Sequence, residues 1–305
     1  MSRRSPFFEA LEYFGFRCIA ACAGTLSHRG ATAVGRAVAM LGYRLGVRRT
    51  VTMENLRHAF PEATDHERSA IARGAFRNYG ISLAEMMWSS HASVDEVRAL
   101  VSPVHYEVFA AAFGRGKGVV LLSGHYGSWE IIASAVPHHL PAPLTIIYQT
   151  QRNRRVDAFL LARRTRFGCL LVSMRDAPRE VLRTLLRGGI VAMLGDQSGA
   201  SESPYVEYFG RPAATHRGPA LFALKTGAPL VMYFLERQPD GRYMMEFEEV
   251  PTEDLNGSLD EKVLELTRRH VATLERHVRK FPDHWLWMHK RWKHTEAYLR
   301  RTGQR

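Results

Sequence analysis

An imidazole and a carboxylate five positions apart, His125 and Glu130, lie in Gly118-Val-Val-Leu-Leu-Ser-Gly-His-Tyr-Gly-Ser-Trp-Glu130. Imidazole titrates near neutrality, so His125 can take a proton from a hydroxyl, and a nearby carboxylate would stabilise the imidazolium and fix the ring tautomer. The pair alone carries little weight in a chain with 14 His and 30 acidic residues. Its setting carries more. Val119 to Leu122 reads as a buried strand, Gly124 and Gly127 punctuate a turn, and Ser128 stands where a helix could open. Functional residues gather at the carboxyl ends of strands in open α/β sheets. The competing reading is a structural histidine that caps a helix.

The elements that must position this pair follow from the hydrophobic pattern. Residues 7 to 100 read as helical, with Thr64 or Asp65 capping a helix ahead of Ile71 and a run of small and apolar residues from Ala31 to Gly46. After Pro103 the pattern alternates. Strands are predicted at Val119–Leu122, Leu144–Tyr148, Cys169–Ser173, Ile190–Leu194, Leu230–Leu235 and Tyr243–Glu249, and helices at Ser128–Val136, Asn153–Phe167, Pro178–Arg187, His216–Thr226 and Leu259–Phe281. This is the signature of an α/β fold, a mainly parallel central sheet flanked by helices, with an N-terminal helical subdomain. The expected division is residues 1–100, helical and membrane-associating, and 101–305, the α/β domain. No internal repeat or low-complexity segment interrupts it.

Composition narrows the setting. With 305 residues and 46% hydrophobic content the chain can bury a sizeable core. Cys18, Cys22 and Cys169 form neither a disulfide framework nor a zinc spacing, which favours a reducing compartment; Cys18 and Cys22 are one helical turn apart and share an apolar face. A formal charge of +12 suggests an anionic partner such as a membrane surface, an acidic carrier or a phosphorylated substrate, the competing reading being a well-solvated Arg-rich surface. Nucleic acid is not expected, since no recognition motif is present and the basic residues are dispersed.

Two segments bear on membranes. Phe7, Phe8, Leu11, Phe14, Cys18 and Ile19 recur at helical spacing near Arg3, Arg4 and Arg17, and the uncharged run from Cys18 to Ser27 is far short of the roughly twenty residues needed to span a bilayer. Glu9, Glu12 and Arg17 also interrupt any signal-peptide core. The pattern suits an amphipathic helix at the interface, or a core helix. Trp285-Leu-Trp-Met-His-Lys-Arg-Trp-Lys293 mixes indoles with cations, which fits either a membrane interface or core packing with the cations turned outward.

His125 to Glu130 resembles the His-x4-acid motif of the glycerolipid acyltransferase superfamily. Companion segments narrow the resemblance to the bacterial lipid A secondary (late) acyltransferases, the lauroyl and myristoyl transferase type. These are Met53-Glu-Asn-Leu-Arg-His-Ala-Phe-Pro-Glu62, Gly195-Asp-Gln197, Tyr208-Phe-Gly-Arg-Pro-Ala-Ala-Thr215, Thr226-Gly-Ala-Pro229 and Phe281-Pro-Asp-His-Trp-Leu-Trp-Met-His-Lys290. They run in family order from about residue 35 to 295. The family commonly carries a membrane-spanning N-terminal helix, from which this sequence departs.

The resemblance assigns further residues. His125 and Glu130 are implied as catalytic, and Arg164, Asp196, Arg152 and Thr215 as substrate-binding. Read by itself, Asp196 is a turn aspartate, although it follows the strand Ile190–Leu194 and would emerge at the same sheet edge as His125. Arg164 lies in the basic run Arg163-Arg-Thr-Arg166, which reads alone as a solvated face; a guanidinium also suits bidentate phosphate binding. Arg152 and Asn153 match a family segment that lacks its usual proline here. Thr215 reads first as a helix cap, and the amides beside it could hold a phosphate or an oxyanion.

The chemistry implied is direct acyl transfer. His125, oriented by Glu130, deprotonates an acceptor hydroxyl that attacks an acyl thioester, while backbone amides or nearby cations stabilise the oxyanion. No acyl-enzyme is needed, and no Gly-x-Ser-x-Gly elbow is present. The implied donor is a fatty acyl chain on acyl carrier protein, with coenzyme A as the other thioester carrier, and the implied acceptor is a hydroxyl of a lipid A precursor. No cofactor and no metal is expected. The partners are acyl carrier protein and anionic membrane lipid, and the location is the cytoplasmic face of the inner membrane, attached peripherally.

Three rivals keep their own tests. A lysophospholipid or glycolipid O-acyltransferase would use the same His125 and Glu130 chemistry on another acceptor. A metal-dependent hydrolase would need a third ligand that the spacing does not supply. A non-catalytic membrane-binding protein would tolerate His125→Ala.

Overall fold

A computed structural model describes residues 6–303 of the chain. Arg3 and Arg4, counted above beside the first helix, lie outside the described residues. Five helices come first: α1 (Pro6–Gly24), α2 (His28–Arg44), α3 (Arg49–Ala59), α4 (Asp65–Trp88) and α5 (Val94–Arg98). Next are β1 (Val101–Val104), α6 (Tyr106–Gly114), β2 (Val119–Ser123), β3 (Leu144–Tyr148), α7 (Arg154–Thr165), β4 (Leu170–Ser173), α8 (Ala177–Leu186) and β5 (Ile190–Leu194). The chain continues through β6 (Tyr205–Tyr208), β7 (Arg211–Ala214), α9 (Gly218–Thr226), β8 (Leu230–Arg237), β9 (Tyr243–Glu249), α10 (Leu259–Lys280) and α11 (Thr295–Thr302).

Seven strands form one sheet in the order β1-β9-β8-β2-β5-β3-β4, parallel at every step except β8–β9. The expected α/β class with a mainly parallel sheet is therefore observed. β2 is central and all five of its residues are buried, as a strand covered on both faces requires. Val120 and Leu122 join a core with α8, α9 and α10, whereas Val119 and Leu121 join a second core with Phe109, Ile131 and Val136. The chain leaving β2 thus covers one face and α9, which follows β5, covers the other. Opposite exits from neighbouring strands open a crevice at their carboxyl ends, which is where such sheets place ligands.

Sequence signals explain the long helices. Thr64 caps α4 reciprocally with Glu67, and Ser258 does the same for α10 with Glu261. Helices α2 and α4 cross at Gly35 and Gly80, where a Cβ on either would sit 2.3 Å or less from the other's carbonyl oxygen. The N-terminal helices share the sheet's core: Leu56, Ala72 and Phe76 belong to the same buried cluster as Trp285 and Trp287.

The structure departs from the sequence pattern at four places. Ser128–Val136 is not an α-helix but two 3-10 turns, Trp129–Ala133 and Val136–His139, because the Ser128 hydroxyl is bonded elsewhere and caps nothing. The segment around Pro103 is a strand, tolerated because β1 is at the sheet edge, where a missing N–H costs no ladder bond. Residues 205–214 form the β6–β7 hairpin, which the predicted strands do not include. The indoles of Trp285 and Trp287 are core, 1% and 0% exposed, so the membrane-interface reading of that segment falls.

Candidate active site

Strand register decides which side chains meet. Ser123 ends β2 opposite Leu194 of β5, and the Gly195 N–H donates to the Ser123 carbonyl at 2.9 Å. Two residues past Ser123 and Leu194, His125 stands against Asp196. One Asp196 oxygen meets His125 Nδ1 at 2.8 Å; the other accepts the His125 backbone N–H and the Trp285 indole N–H, each at 2.8 Å. Nδ1 therefore carries the proton and Nε2 is the accepting nitrogen, facing the Gln197 side-chain amide at 3.3 Å.

The turn that carries His125 is fixed from below. Gly127 has φ +59, and a Cβ there would lie 1.9 Å from the Leu235 carbonyl oxygen, so β8 leaves room for glycine alone. Tyr126 bridges to Trp285, the Gly127 N–H donates to the His284 carbonyl at 2.9 Å, and the Leu286 N–H donates to the His125 carbonyl at 3.1 Å. Asn55 in turn holds the carbonyls of Trp287 and His289 at 2.7 and 2.6 Å, which gives the Met53–Glu62 segment its structural task.

Electrostatics follow from this packing. Burial works against a charged imidazole, but the Asp196 carboxylate outweighs it, with a smaller contribution from Glu130, and His125 titrates above its ordinary value. Burial would raise Asp196; the imidazolium charge and hydrogen bonds from His125 and Trp285 overcome it and hold the carboxyl at about 2. The arrangement leaves the Nε2 lone pair available with a fixed negative charge behind the ring, which is chemically suited to accepting a proton.

Glu130 does something other than expected. The Trp129 ring packs against His125 at 5.4 Å between centroids, and the carboxylate of the next residue is carried to Arg164, whose Nη2 donates at 3.0 and 3.3 Å. Glu130 and Arg164 thus form a half-buried ion pair beside the imidazole, 16% and 21% exposed. The guanidinium is less open to an outside phosphate than a solvated arginine would be.

Asp196, expected to meet substrate, is 3% exposed, and both its oxygens are engaged by protein donors. Thr215 is fully buried and is not a helix cap: α9 begins after Arg217, and the Thr215 hydroxyl donates to the Ala213 carbonyl at 2.9 Å while accepting from Arg291 at 2.6 Å. Arg152 is exposed on the loop between β3 and α7 and is not drawn to His125. The amides of His125, Tyr126 and Gly127 are all spent, on Asp196, Gly124 and His284, so none of the three is free for an oxyanion.

Sequence reasoning gives no role at this site to Gln197, Trp285 or Glu85. Glu85, fully buried on α4, accepts from Ser128 Oγ at 2.5 Å and Tyr243 OH at 2.7 Å, and meets His28 at 2.9 Å and Arg237 at 3.5 Å. An acid inside the apolar run Ile81–Trp88 is the signal that points to it, because a buried carboxylate must be paired. Through Ser128, three residues past His125, this network anchors the far end of the turn.

Comparison with known proteins gives the family of the chain. A sequence model for the family described as bacterial lipid A biosynthesis acyltransferase matches residues 3–294. The chain is similar to a lipid A biosynthesis acyltransferase of Haemophilus influenzae, 24% identical over 254 residues that cover 81% of this chain and 76% of that one. It is similar to a lipid A biosynthesis lauroyltransferase of Escherichia coli, 24% identical over 250 residues covering 81% and 79%, and to a lipid A biosynthesis acyltransferase of Shigella flexneri, 22% identical over 268 residues covering 83% and 84%.

Proposed function

The chain belongs to the bacterial lipid A biosynthesis acyltransferase family and is an enzyme of that type; from that premise we propose that it moves a fatty acyl chain from an acyl carrier protein thioester to a hydroxyl of a lipid A precursor, with His125 as general base. The observation that carries the reading is the imidazole tautomer: Nδ1 is bound to Asp196 and Nε2 is left to accept.

The acceptor hydroxyl takes the position of the Gln197 amide and gives its proton to Nε2 as its oxygen attacks the thioester carbon. The imidazolium so formed lies against the Asp196 carboxylate. With three turn amides already committed, the donors left to stabilise the oxyanion are the Gln197 amide and the Arg164 guanidinium, the latter held by Glu130. Collapse of the tetrahedral species expels the thiolate, which recovers the proton from His125. Arg152, exposed at the rim, is assigned to anionic groups of the substrate or carrier.

The same proposal places the enzyme peripherally on the cytoplasmic face of the inner membrane. No helix among the described residues is long and apolar enough to cross a membrane. Support for surface attachment comes from α1, where Phe7, Phe8, Leu11, Phe14 and Ile19 are 57–70% exposed. Helix α2 adds Val34, Val38, Leu41 and Leu45 at helical spacing, beside exposed Arg36, Arg44, Arg48 and Arg49. An acidic carrier also suits a chain of charge +12.

Purified enzyme incubated with acyl carrier protein or coenzyme A thioesters, against lipid A precursor and against lysophospholipid, tests the assignment by mass spectrometry of the lipids. A new acyl chain on the lipid A precursor, absent with His125→Ala, is expected. Acylation of lysophospholipid alone would overturn the acceptor, and transfer from coenzyme A alone would overturn the carrier.

A further inference from the structure

The face of β8 and β9 beneath α10 collects ionisable side chains by register. Phe234 pairs with Glu246 and Glu236 with Met244, so Phe234, Glu236 and Glu246 share one face of the antiparallel pair. Helix α10 lays His277 on that face, its ring stacked 3.6 Å from Phe234. The ligand-capable atoms of Glu236, Glu246 and His277 all lie within 4.8 Å of one another.

Acidic clusters are common, and the grouping alone would mean little. His277 distinguishes it. The side chain is 3% exposed, and its Nε2 meets the Glu248 carboxylate at 3.4 Å. Its Nδ1 is buried with no hydrogen-bond partner, 3.8 Å from Glu236 Oε1. With Nε2–H donating to Glu248, Nδ1 turns a lone pair toward a carboxylate oxygen. Two acceptors then face each other across a gap too long for a hydrogen bond, a conflict that a cation between them resolves. A carboxylate on the far ring nitrogen is also the usual companion of a metal-bound imidazole, since it fixes the tautomer and raises ligand basicity.

Lys280 supplies part of the balancing charge, with Nζ 3.2 Å from Glu236 and 3.9 Å from Glu246. It is 55% exposed on a flexible stem, so it can withdraw to solvent when another cation arrives. Arg276 neutralises Glu248 at 2.5 Å and leaves the three inner groups to one another.

We propose that Glu236, Glu246 and His277 form a structural binding site for a divalent first-row cation, with Zn2+ favoured. One imidazole and two carboxylates suit both Zn2+ and Mn2+, and at equal geometry Zn2+ binds N/O sites more tightly. The ion would tie α10 to β8 and β9 behind the reactive turn, where Tyr126 OH donates to the His277 carbonyl at 3.5 Å.

The full chain, stripped with chelator and exchanged into buffer, is titrated with ZnCl2 and separately with MnCl2 by calorimetry. Metal retained after gel filtration is counted by mass spectrometry, and thermal unfolding is followed with and without zinc. Retention of about one Zn2+ per chain with a raised melting temperature is expected. Glu246→Gln, half-buried and isosteric, is expected to weaken binding by at least about tenfold, and Lys280→Met to tighten it. Failure to retain zinc overturns the site, as does retention that Glu246→Gln and Glu236→Gln leave unchanged, which would mark adventitious surface binding. Tighter binding of Mn2+ than of Zn2+ overturns the choice of metal.

Discussion

Asp196 grips His125 twice, taking the imidazole at 2.8 Å with one carboxylate oxygen and the backbone N–H at 2.8 Å with the other. The first bond sets the tautomer and the second sets where the ring stands. Exchanging the carboxylate for an amide attacks both. In Asp196→Asn an amide N–H can turn toward Nδ1 and drive the proton to Nε2, which disables the base. Turnover is expected to fall by roughly two to four orders of magnitude, the range general base catalysis contributes. The residual activity should show its pH inflection shifted downward, because the charge that raises the imidazole pKa is gone. Steady-state kinetics across pH checks both.

Under the proposed mechanism His125 must be neutral to act, and its pKa is raised above the ordinary 6.5 or so. Activity as kcat/KM is therefore expected to climb with pH through an inflection above that value and then level off. Stability moves the other way. A folded-state pKa above the unfolded one contributes stability that is fully present below the unfolded value and is lost as pH rises through the folded value. Denaturant titrations at matched pH should show the charge pair's support fading where activity appears.

Glu130 and Arg164 should behave as one unit. Glu130→Gln frees the guanidinium, and Arg164→Met leaves the carboxylate uncompensated beside the imidazole. Each single change is expected to lower kcat/KM, and the double variant to lose less than the sum. A coupling of about 0.5–3 kcal/mol is anticipated for groups in contact. Additive losses in a double-mutant cycle would show that the pair is not coupled.

Glu85→Ala strips a buried carboxylate from His28, Arg237, Ser128 and Tyr243 at once. Leaving a buried partner charge unpaired costs about 3–5 kcal/mol, so a large fall in the urea midpoint is expected. Glu85→Gln keeps the shape and some of the hydrogen bonds, and should fall between the variant and the parent.

Attachment to membranes is expected to depend on the exposed face of α1. Replacing Phe7, Phe8 and Phe14 by Ser removes three aromatic side chains that would each contribute about 1.5–3 kcal/mol on full burial. Sedimentation with vesicles containing anionic phospholipid should fall sharply, while turnover on detergent-dispersed substrate holds. Undiminished vesicle binding would remove α1 from the attachment surface.

How much of this was legible beforehand varies by element. Leu144–Tyr148, Ile190–Leu194 and Tyr243–Glu249 are strands at the predicted bounds, the first two as short apolar runs and the third through its alternation of buried and more exposed residues. β1 was hidden by Pro103, which reads as a break unless the strand is known to be at an edge. The turn around His125 can be picked out from its sequence, but the carboxylate that meets the imidazole cannot: Glu130 is near in sequence and pairs with Arg164, whereas Asp196 is near only because β2 and β5 are neighbours in the sheet. Sheet order is not written in local periodicity. The contact of Trp285 with Asp196 and the network of Glu85 are hidden for the same reason, being polar contacts made across the core rather than along an element.

The distances along the chain between these partners have a consequence for how the enzyme is made. The His125 and Asp196 contact spans 71 positions, and Trp285 reaches Asp196 from 89 positions further on. Contacts of that sequence separation close long loops and are slow to form compared with local ones. A chain in which β2 and β5 have not yet paired carries an imidazole with no carboxylate against it, so the oriented histidine is a property of the assembled sheet and not of the segment that contains it.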